Sequence, residues 1–378
     1  MTESRARPSP DAPPAPSGDR RFPPTERSGP RWSSRLGGAA IVVAIACWVL
    51  WRTGPAIMPN LELFEPVAAD WPLSSVEPAF GYSLRVPLGP MAYQLVPQPG
   101  PKAYVILHAV CLLTAAALLT GGWLARRLGL RRALIAYCVL ALAPITAVLL
   151  NWIGMYDAFS ILAFVVLMMS LDRGPRVQFA AAALVGFQNF EQSLVALVIV
   201  LLVPTLARSV GMTPRAVPLL AGILAGKAVL ETFLSAVGAV SGSRLLFLAT
   251  DDKAREILTG VASVAPPIIL WSALGGLWLY AVPPAVQAAL RQWSRAQLAM
   301  AAAAAFIWFG SGIISEDQTR VLAMTSFPAV VLAAIHIALR YRDLPEFVRT
   351  PQAWGGLILA PPLVLWHAAP LPMGVTIG

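Results

Sequence analysis

Long apolar blocks separated by short polar turns dominate the chain. Apolar runs fall at about 36–51, 103–125, 133–151, 156–171, 217–238, 262–284, 297–313, 319–339 and 354–371. A hydrocarbon core about 30 Å thick needs about 20 residues of helix. These blocks meet or approach that length, so each is expected to be a membrane helix. Residues 177–207 stay open between two readings. Either one long helix crosses there, or two short legs form a hairpin with Gln188, Asn189, Phe190 and Glu191 at its tip. The fold expected is an all-α, polytopic transmembrane helical bundle of ten or eleven spans.

Two segments break the apolar pattern. Residues 1–34 are rich in Pro, Ser and Arg and cannot bury a core, so a disordered cytoplasmic tail is expected. The block that follows lies between Arg35 and Arg52 and lacks an A-x-A cleavage pattern before Arg52. It reads as a retained membrane helix rather than a signal peptide. The transmembrane domain is thus expected over 35–373. It includes a long, folded first outer loop, 53–102, rich in Pro and aromatic residues.

Composition agrees with a membrane protein. Of 378 residues, 57% are hydrophobic and 12% charged, and mean hydropathy is +0.68. Soluble domains carry about 25% charged residues. The 28 Lys and Arg against 19 Asp and Glu give a net charge of +9. The basic residues are scattered between apolar blocks, not gathered with aromatics, which argues against a nucleic-acid partner. They fit short cytoplasmic loops, above all the ARRLGLRR turn after residue 124. A hairpin over 177–207 puts seven downstream arginines inside and four basic residues outside; a single crossing swaps those numbers. The cytoplasmic bias of Lys and Arg therefore favours the hairpin.

Cys47, Cys111 and Cys138, like His108, His336 and His367, sit inside apolar blocks without metal-ligand spacing. Buried packing is the plain reading for all six. Trp48, Trp123, Trp152, Trp271 and Trp354 lie mostly near block ends and read as interface anchors.

The acids carry the candidate chemistry. On the hairpin topology, eleven of the nineteen fall on the outer face. Asp and Glu contribute little to insertion, so this skew is not forced by topology. Asp70, within AADWPLSS, suits a general base for a hydroxyl nucleophile; a solvated loop acid is the alternative. Glu77 and Arg85 share its loop. Asp157 opens a block and reads as a functional acid or as a first-turn helix acid. Glu191 lies in a polar patch inside an apolar stretch, where ionisable groups are costly unless paired or used. Lys227 and Glu231 are four apart and share a helix face, as an ion pair or with Lys227 free for a phosphate. Glu316, Asp317 and Arg320, in SEDQTRV, precede a block; Arg320 suits a phosphate clamp, and a capping cluster is the alternative.

Outer-face acids with membrane-edge cations suit a lipid phosphate donor and an acceptor hydroxyl. No phosphate-binding glycine loop in context marks a soluble nucleotide site. The layout resembles the GT-C superfamily of integral membrane glycosyltransferases, which use polyprenyl-phosphate-linked sugars. The resemblance rests on a first helix followed by a long loop holding Asp70, and on Asp157 in the second outer turn. It implies a lipid-linked sugar donor within the membrane, Asp70 and Asp157 as catalytic acids, and Arg320, Arg85 or Lys227 against the donor phosphate. Asp70 is followed by Trp71 and Pro72, so the D-x-D or E-x-D pattern of some members is missing. No cofactor is implied, and a divalent metal ion stays an open alternative. A secondary transporter using Glu191, Lys227 and Glu231 as a relay, or a polysaccharide polymerase or ligase, are the competing readings.

Overall fold

The computed structural model describes residues 32–58, 61–73, 83–202, 214–239, 259, 266–280, 282–313, 315, 317–358, 363–366 and 369–372. The expected tail falls outside them up to residue 31, as do Glu77 and Glu316. The protein is an all-α helical bundle. Its helices, numbered over the described residues, are α1 (Trp32–Thr53), α2 (Leu61–Asp70), α3 (Leu88–Tyr93), α4 (Pro101–Leu128), α5 (Leu130–Ala141), α6 (Pro144–Asn151), α7 (Asp157–Ser170), α8 (Pro175–Gln188) and α9 (Phe190–Leu202). After these come α10 (Ala216–Ala236), α11 (Pro266–Leu274), α12 (Leu277–Tyr280), α13 (Val282–Gln292), α14 (Arg295–Ile313), α15 (Gln318–Arg340), α16 (Leu344–Val348) and α17 (Pro351–Ile358). A short antiparallel hairpin follows, β1 (Leu363–Trp366) with β2 (Ala369–Pro372).

Among the described residues, α4, α10, α14 and α15 are each long and apolar enough to cross a membrane. The pair α5 and α6, bent by 63°, makes a fifth, broken span. Among the described residues this is fewer than the ten or eleven crossings expected from the apolar blocks, and the blocks at 262–284 and 354–371 lie partly outside them. The difference has local causes. Pro144 has no N–H to continue α5 and instead opens α6. The block at 156–171 gives the 14-residue helix α7, about 21 Å long. The block at 354–371 divides into α17 and the β-hairpin, because Pro361, Pro362, Pro370 and Pro372 cannot sit inside a helix.

Helix α15 is the axis of the bundle, with 83% of its apolar window buried. Peripheral helices instead turn apolar stripes outward. Ile106, Val110 and Leu113 are exposed on one face of α4, at the i, i+4, i+7 spacing of a lipid-facing stripe.

Two glycine contacts bear on the described part of 177–207. At the start of α8, the Gln178 side chain accepts a hydrogen bond from the backbone N of Arg215, just before α10, at 3.0 Å. From there α8 and α10 run side by side in the same direction. A Cβ on Gly226 would stand 2.0 Å from the Ala183 carbonyl oxygen, and one on Gly186 2.2 Å from that of Ile223. Only glycine permits this approach, and Gly222 and Gly226 form the G-x-x-x-G spacing that brings membrane helices together. Because α8 and α10 start at one end, the chain reverses between them, in keeping with the hairpin reading.

Candidate functional site

One end of the bundle gathers nearly all the candidate residues. After α1, Ala56 and Met58 hydrogen-bond the backbone at Leu150 and Ile153. This clips the chain onto the turn that leads into Asp157. Gly154 in that turn has φ +106, a conformation that L side chains rarely adopt. The turn presents Tyr156 and Asp157 at the head of α7.

Asp157 meets Arg320, the second residue after the start of α15. The Arg320 Nε donates to Asp157 Oδ2, and its Nη2 donates to Asp157 Oδ1 at 3.2 Å. Its Nη1 donates to Asp317 Oδ2 at 2.6 Å. Trp152 and Tyr156 flank the guanidinium, their ring centroids 5.5 Å and 4.9 Å from Cζ. Arg320 is 1% exposed. A buried charge is tolerated only when paired and hydrogen-bonded, and here both edges of the fork are occupied. The expectation that Arg320 clamps a phosphate therefore gives way to an internal brace between α7 and α15. Trp152, expected at an interface, is buried against that brace.

The two carboxylates of the brace are not equivalent. Asp157 uses both oxygens on Arg320, whereas Asp317 Oδ1 is buried without a hydrogen-bond partner.

A second cluster lies at the same end. Lys227 Nζ is 2.9 Å from Glu231 Oε1 and 3.9 Å from Glu191 Oε1, and stands 4.9 Å from the Phe190 ring centroid. Arg85 Nη2 reaches Glu231 Oε2 at 3.4 Å. Arg85, Glu191, Lys227 and Glu231 thus form one half-buried network of two cations and two anions. It draws on α9, α10 and the turn before α3. Gln188 ties the clusters together. Its Oε1 accepts from Leu88 N at 3.0 Å, and its Nε2 donates to the Tyr156 carbonyl and to Ser160 Oγ, both at 3.4 Å.

Asp70 ends α2. Its side chain is exposed and makes no hydrogen bond or ion pair with a described residue. Its neighbour Trp71 is buried, with Nε1 donating to the Leu84 carbonyl at 3.0 Å and the ring stacked on Phe233, 5.4 Å between centroids. Leu84 precedes Arg85, and Phe233 follows Glu231 by two residues. Trp71 therefore fixes the end of α2 against the two elements that carry the Arg85–Glu231 pair. The long loop is folded elsewhere too: Tyr93 Oη donates to Glu65 and accepts from Gly100 N at 2.5 Å. Burial, then the Glu65 carboxylate, pushes the Tyr93 phenol up to about 12.

The structure thus brings Asp157, Asp317 and Arg320 into one group and Arg85, Glu191, Lys227 and Glu231 into another, to which Trp71, the neighbour of Asp70, links the end of α2. Sequence reasoning placed Gln188 at a hairpin tip and Trp152 at an interface, and missed the contacts of both, and of Tyr156, with the charged groups, although Trp152, Tyr156 and Asp157 share a single turn. Cys111 and Cys138 are buried free thiols and Cys47 is exposed. Among the described residues, no three His, Cys, Asp or Glu side chains gather in a group that could hold a metal ion. No protein family, curated protein or solved structure matches this chain.

Proposed function

We propose that this protein is a membrane glycosyltransferase. It moves a sugar from a lipid-phosphate carrier to an acceptor hydroxyl on the non-cytoplasmic face, and the end that carries Asp157 faces that side. The opposite end carries Arg126, Arg131, Arg176, Arg215, Arg340 and Arg342, which supports a cytoplasmic position for it. The reading rests chiefly on one arrangement: the cations Arg85 and Lys227 share a network that Trp71 links to the end of α2, where Asp70 is exposed.

In this reading the donor phosphate exchanges for Glu231 and Glu191 as the partner of Arg85 and Lys227. These cations are only partly buried, and the Arg85–Glu231 contact is long, so exchange costs little. Asp70 takes the proton of the acceptor hydroxyl. The hydroxyl oxygen attacks the sugar C1 from the face opposite the phosphate. The bond between C1 and the phosphate oxygen breaks, and its electron pair leaves with the carrier phosphate. Arg85 and Lys227 offset the charge that develops there. The Asp157–Arg320–Asp317 brace holds α7 and α15 beneath this surface and takes no part in the proton transfer.

A transfer assay in membranes, with a labelled polyprenyl-phosphate sugar as donor, tests the proposal. Asp70→Asn should lower the rate by at least about a hundredfold. Full activity in that variant would remove it. The Glu191–Lys227–Glu231 row, of which Lys227 and Glu231 lie in the span α10, favours a proton relay as the second reading. Proton flux into proteoliposomes that stops in Glu191→Gln, without any sugar transfer in the parent protein, would establish it.

A further inference from the structure

Helices α4 and α5 meet at the basic turn ARRLGLRR, and contacts along α4 fix where that turn lies. Near the start of α4 the His108 ring packs edge-on against Phe159, 5.2 Å between centroids, in the first turn of α7 beside Asp157. At the far end of α4, Arg127 Nη1 donates to Asp172 Oδ2, just past the end of α7. The turn therefore stands one length of α7, about 21 Å, from Asp157.

The same two helices border a recess in the side of the bundle. Its volume is about 210 Å³, and its wall includes Leu112 and Thr120 of α4, Tyr137 of α5, Leu149 of α6, Val165 of α7 and Phe327 of α15. Two irregularities shape it. Pro144 breaks the span, so that α6 leaves α5 at 63°. Helix α4 widens into a π-helix over Leu118–Leu124. The stretch from Leu112 to Thr120, about 12 Å, falls in the middle of the 28-residue helix α4. Leu113, 70% exposed, belongs both to the wall and to the lipid-facing stripe of α4, so the mouth opens sideways into hydrocarbon. The Thr120 and Thr146 hydroxyls donate to the Ala116 and Leu140 carbonyls, at 2.6 Å and 2.7 Å, and offer nothing to a polar ligand. An apolar cavity of about 150 Å³ already takes up benzene, so this recess has room for a length of alkyl chain.

The turn supplies positive charge next to the recess. Arg127 is committed to Asp172, and its Cζ lies 6.0 Å from the Trp123 ring centroid. Arg126 and Arg131 are exposed, and neither they nor Arg132 form an ion pair with a described residue. Arg131 and Arg132 also lie in the first turn of α5, which has no side-chain cap. Cations at that end of a helix oppose its dipole, so the turn is a place for an anion. Arg126 is six residues beyond Thr120, and Arg131 six before Tyr137. Along either helix the guanidinium-bearing residues thus start about 9 Å from the end of the recess.

We propose that the turn and the recess together hold one anionic phospholipid. Arg126 and Arg131 take its phosphate, and one acyl chain lies in the recess. The occupant follows from the mouth, which opens within hydrocarbon, and from cations placed as a headgroup is placed above its own chain. A lipid-linked sugar donor would carry its phosphate at the Asp157 end, on the wrong side of the recess. The inference does not depend on the transfer reaction.

Photo-crosslinking of the full chain tests it. The protein is placed in phosphatidylcholine liposomes with a trace of phosphatidylglycerol that carries a diazirine midway along one acyl chain, and adducts are located by peptide mass spectrometry. They should concentrate at 112–120 and 145–150, with a yield at least about threefold above that of the same probe on a phosphatidylcholine headgroup. Arg126→Gln/Arg131→Gln should bring the two headgroups to equal yield. Ala116→Phe fills the recess from an exposed position. It should remove the adducts at 145–150 and leave those at the exposed Ile106 unchanged. Excess polyprenyl monophosphate should not alter the pattern. Equal yields from the two headgroups in the parent chain, adducts spread evenly along the exposed face of α4, or displacement by polyprenyl monophosphate would each overturn the proposal. So would an absence of adducts from both segments, as beneath a second copy of the chain.

Discussion

Arg320 and Asp157, 163 positions apart in the chain, are joined through two guanidinium nitrogens and two carboxylate oxygens inside the protein. The pair fixes the start of the central helix α15 against the start of α7. Removing Arg320 leaves two carboxylates without a cation where water cannot reach them, whereas removing Asp157 leaves Arg320 still paired with Asp317. Arg320→Met should destabilise the folded protein by about 3–5 kcal/mol, and Asp157→Asn by less. The double variant Asp157→Asn/Arg320→Met should recover part of the Arg320→Met loss, since one of the two carboxylates is then neutral. Thermal unfolding of the purified protein, combined as a double-mutant cycle, reads both effects; additive losses would show that the pair acts as two separate groups.

The contact between α8 and α10 depends on missing side chains. Gly226→Ala sets a methyl group against the Ala183 carbonyl, and the two helix axes must separate to admit it. We expect a loss of at least about 2 kcal/mol. Gly310→Ala, on the exterior of α14 with nothing within 4 Å of its Cβ position, should leave stability unchanged or slightly higher. Equal unfolding temperatures for the two variants would contradict the close approach.

The loop that carries Asp70 is held partly by Tyr93, whose phenol is raised from 10.0 to about 12 in the folded state. The protonated phenol is the form that donates to Glu65. Its stabilising effect is complete below about pH 10 and is lost as pH rises through about 12. The parent protein should therefore lose more stability than Tyr93→Phe between those values, measured by thermal unfolding at each pH. Parallel curves for the two proteins would show that Tyr93 stays protonated, or ionises, alike in both states.

The sequence made the helical class plain, because apolar blocks of this length have few other solutions. It also marked the residues of both clusters, since a charge within apolar sequence must find a partner. It did not show which partners meet. Asp157 and Asp317 both looked like helix-start acids, and only the parallel packing of α7 and α15 reveals that one arginine serves both. The number of spans was obscured for a related reason. A continuous apolar run reads alike whether the helix continues or breaks, so the bend before Pro144 is invisible to hydropathy, whereas the polar patch at Gln188, Asn189 and Glu191 marked the break at Asn189. The spacing of Gly222 and Gly226 stood in the sequence unread, and the prolines after α17 argued against the membrane helix expected over 354–371 without indicating what replaces it.

Lys227 sits between two carboxylates, 2.9 Å and 3.9 Å away, on a partly exposed face. Such a pair contributes little to stability, so Lys227→Gln should change unfolding free energy by no more than about 1 kcal/mol. Its transfer rate should nevertheless fall by at least about tenfold, because the charge on the departing phosphate then lacks one of its two cations. A variant as unstable as Asp157→Asn would place Lys227 among the structural charges instead.

The most direct measurement is the binding of a polyprenyl monophosphate, the carrier that remains after transfer, to the purified protein in lipid nanodiscs. The parent protein and Asp70→Asn should bind it alike, since Asp70 acts on the acceptor. Arg85→Gln/Lys227→Gln should bind it at least about tenfold more weakly, a loss of about 1.4 kcal/mol. Equal binding by the parent and the doubly substituted protein, or none by either, would contradict the assignment of this cation pair to a lipid phosphate.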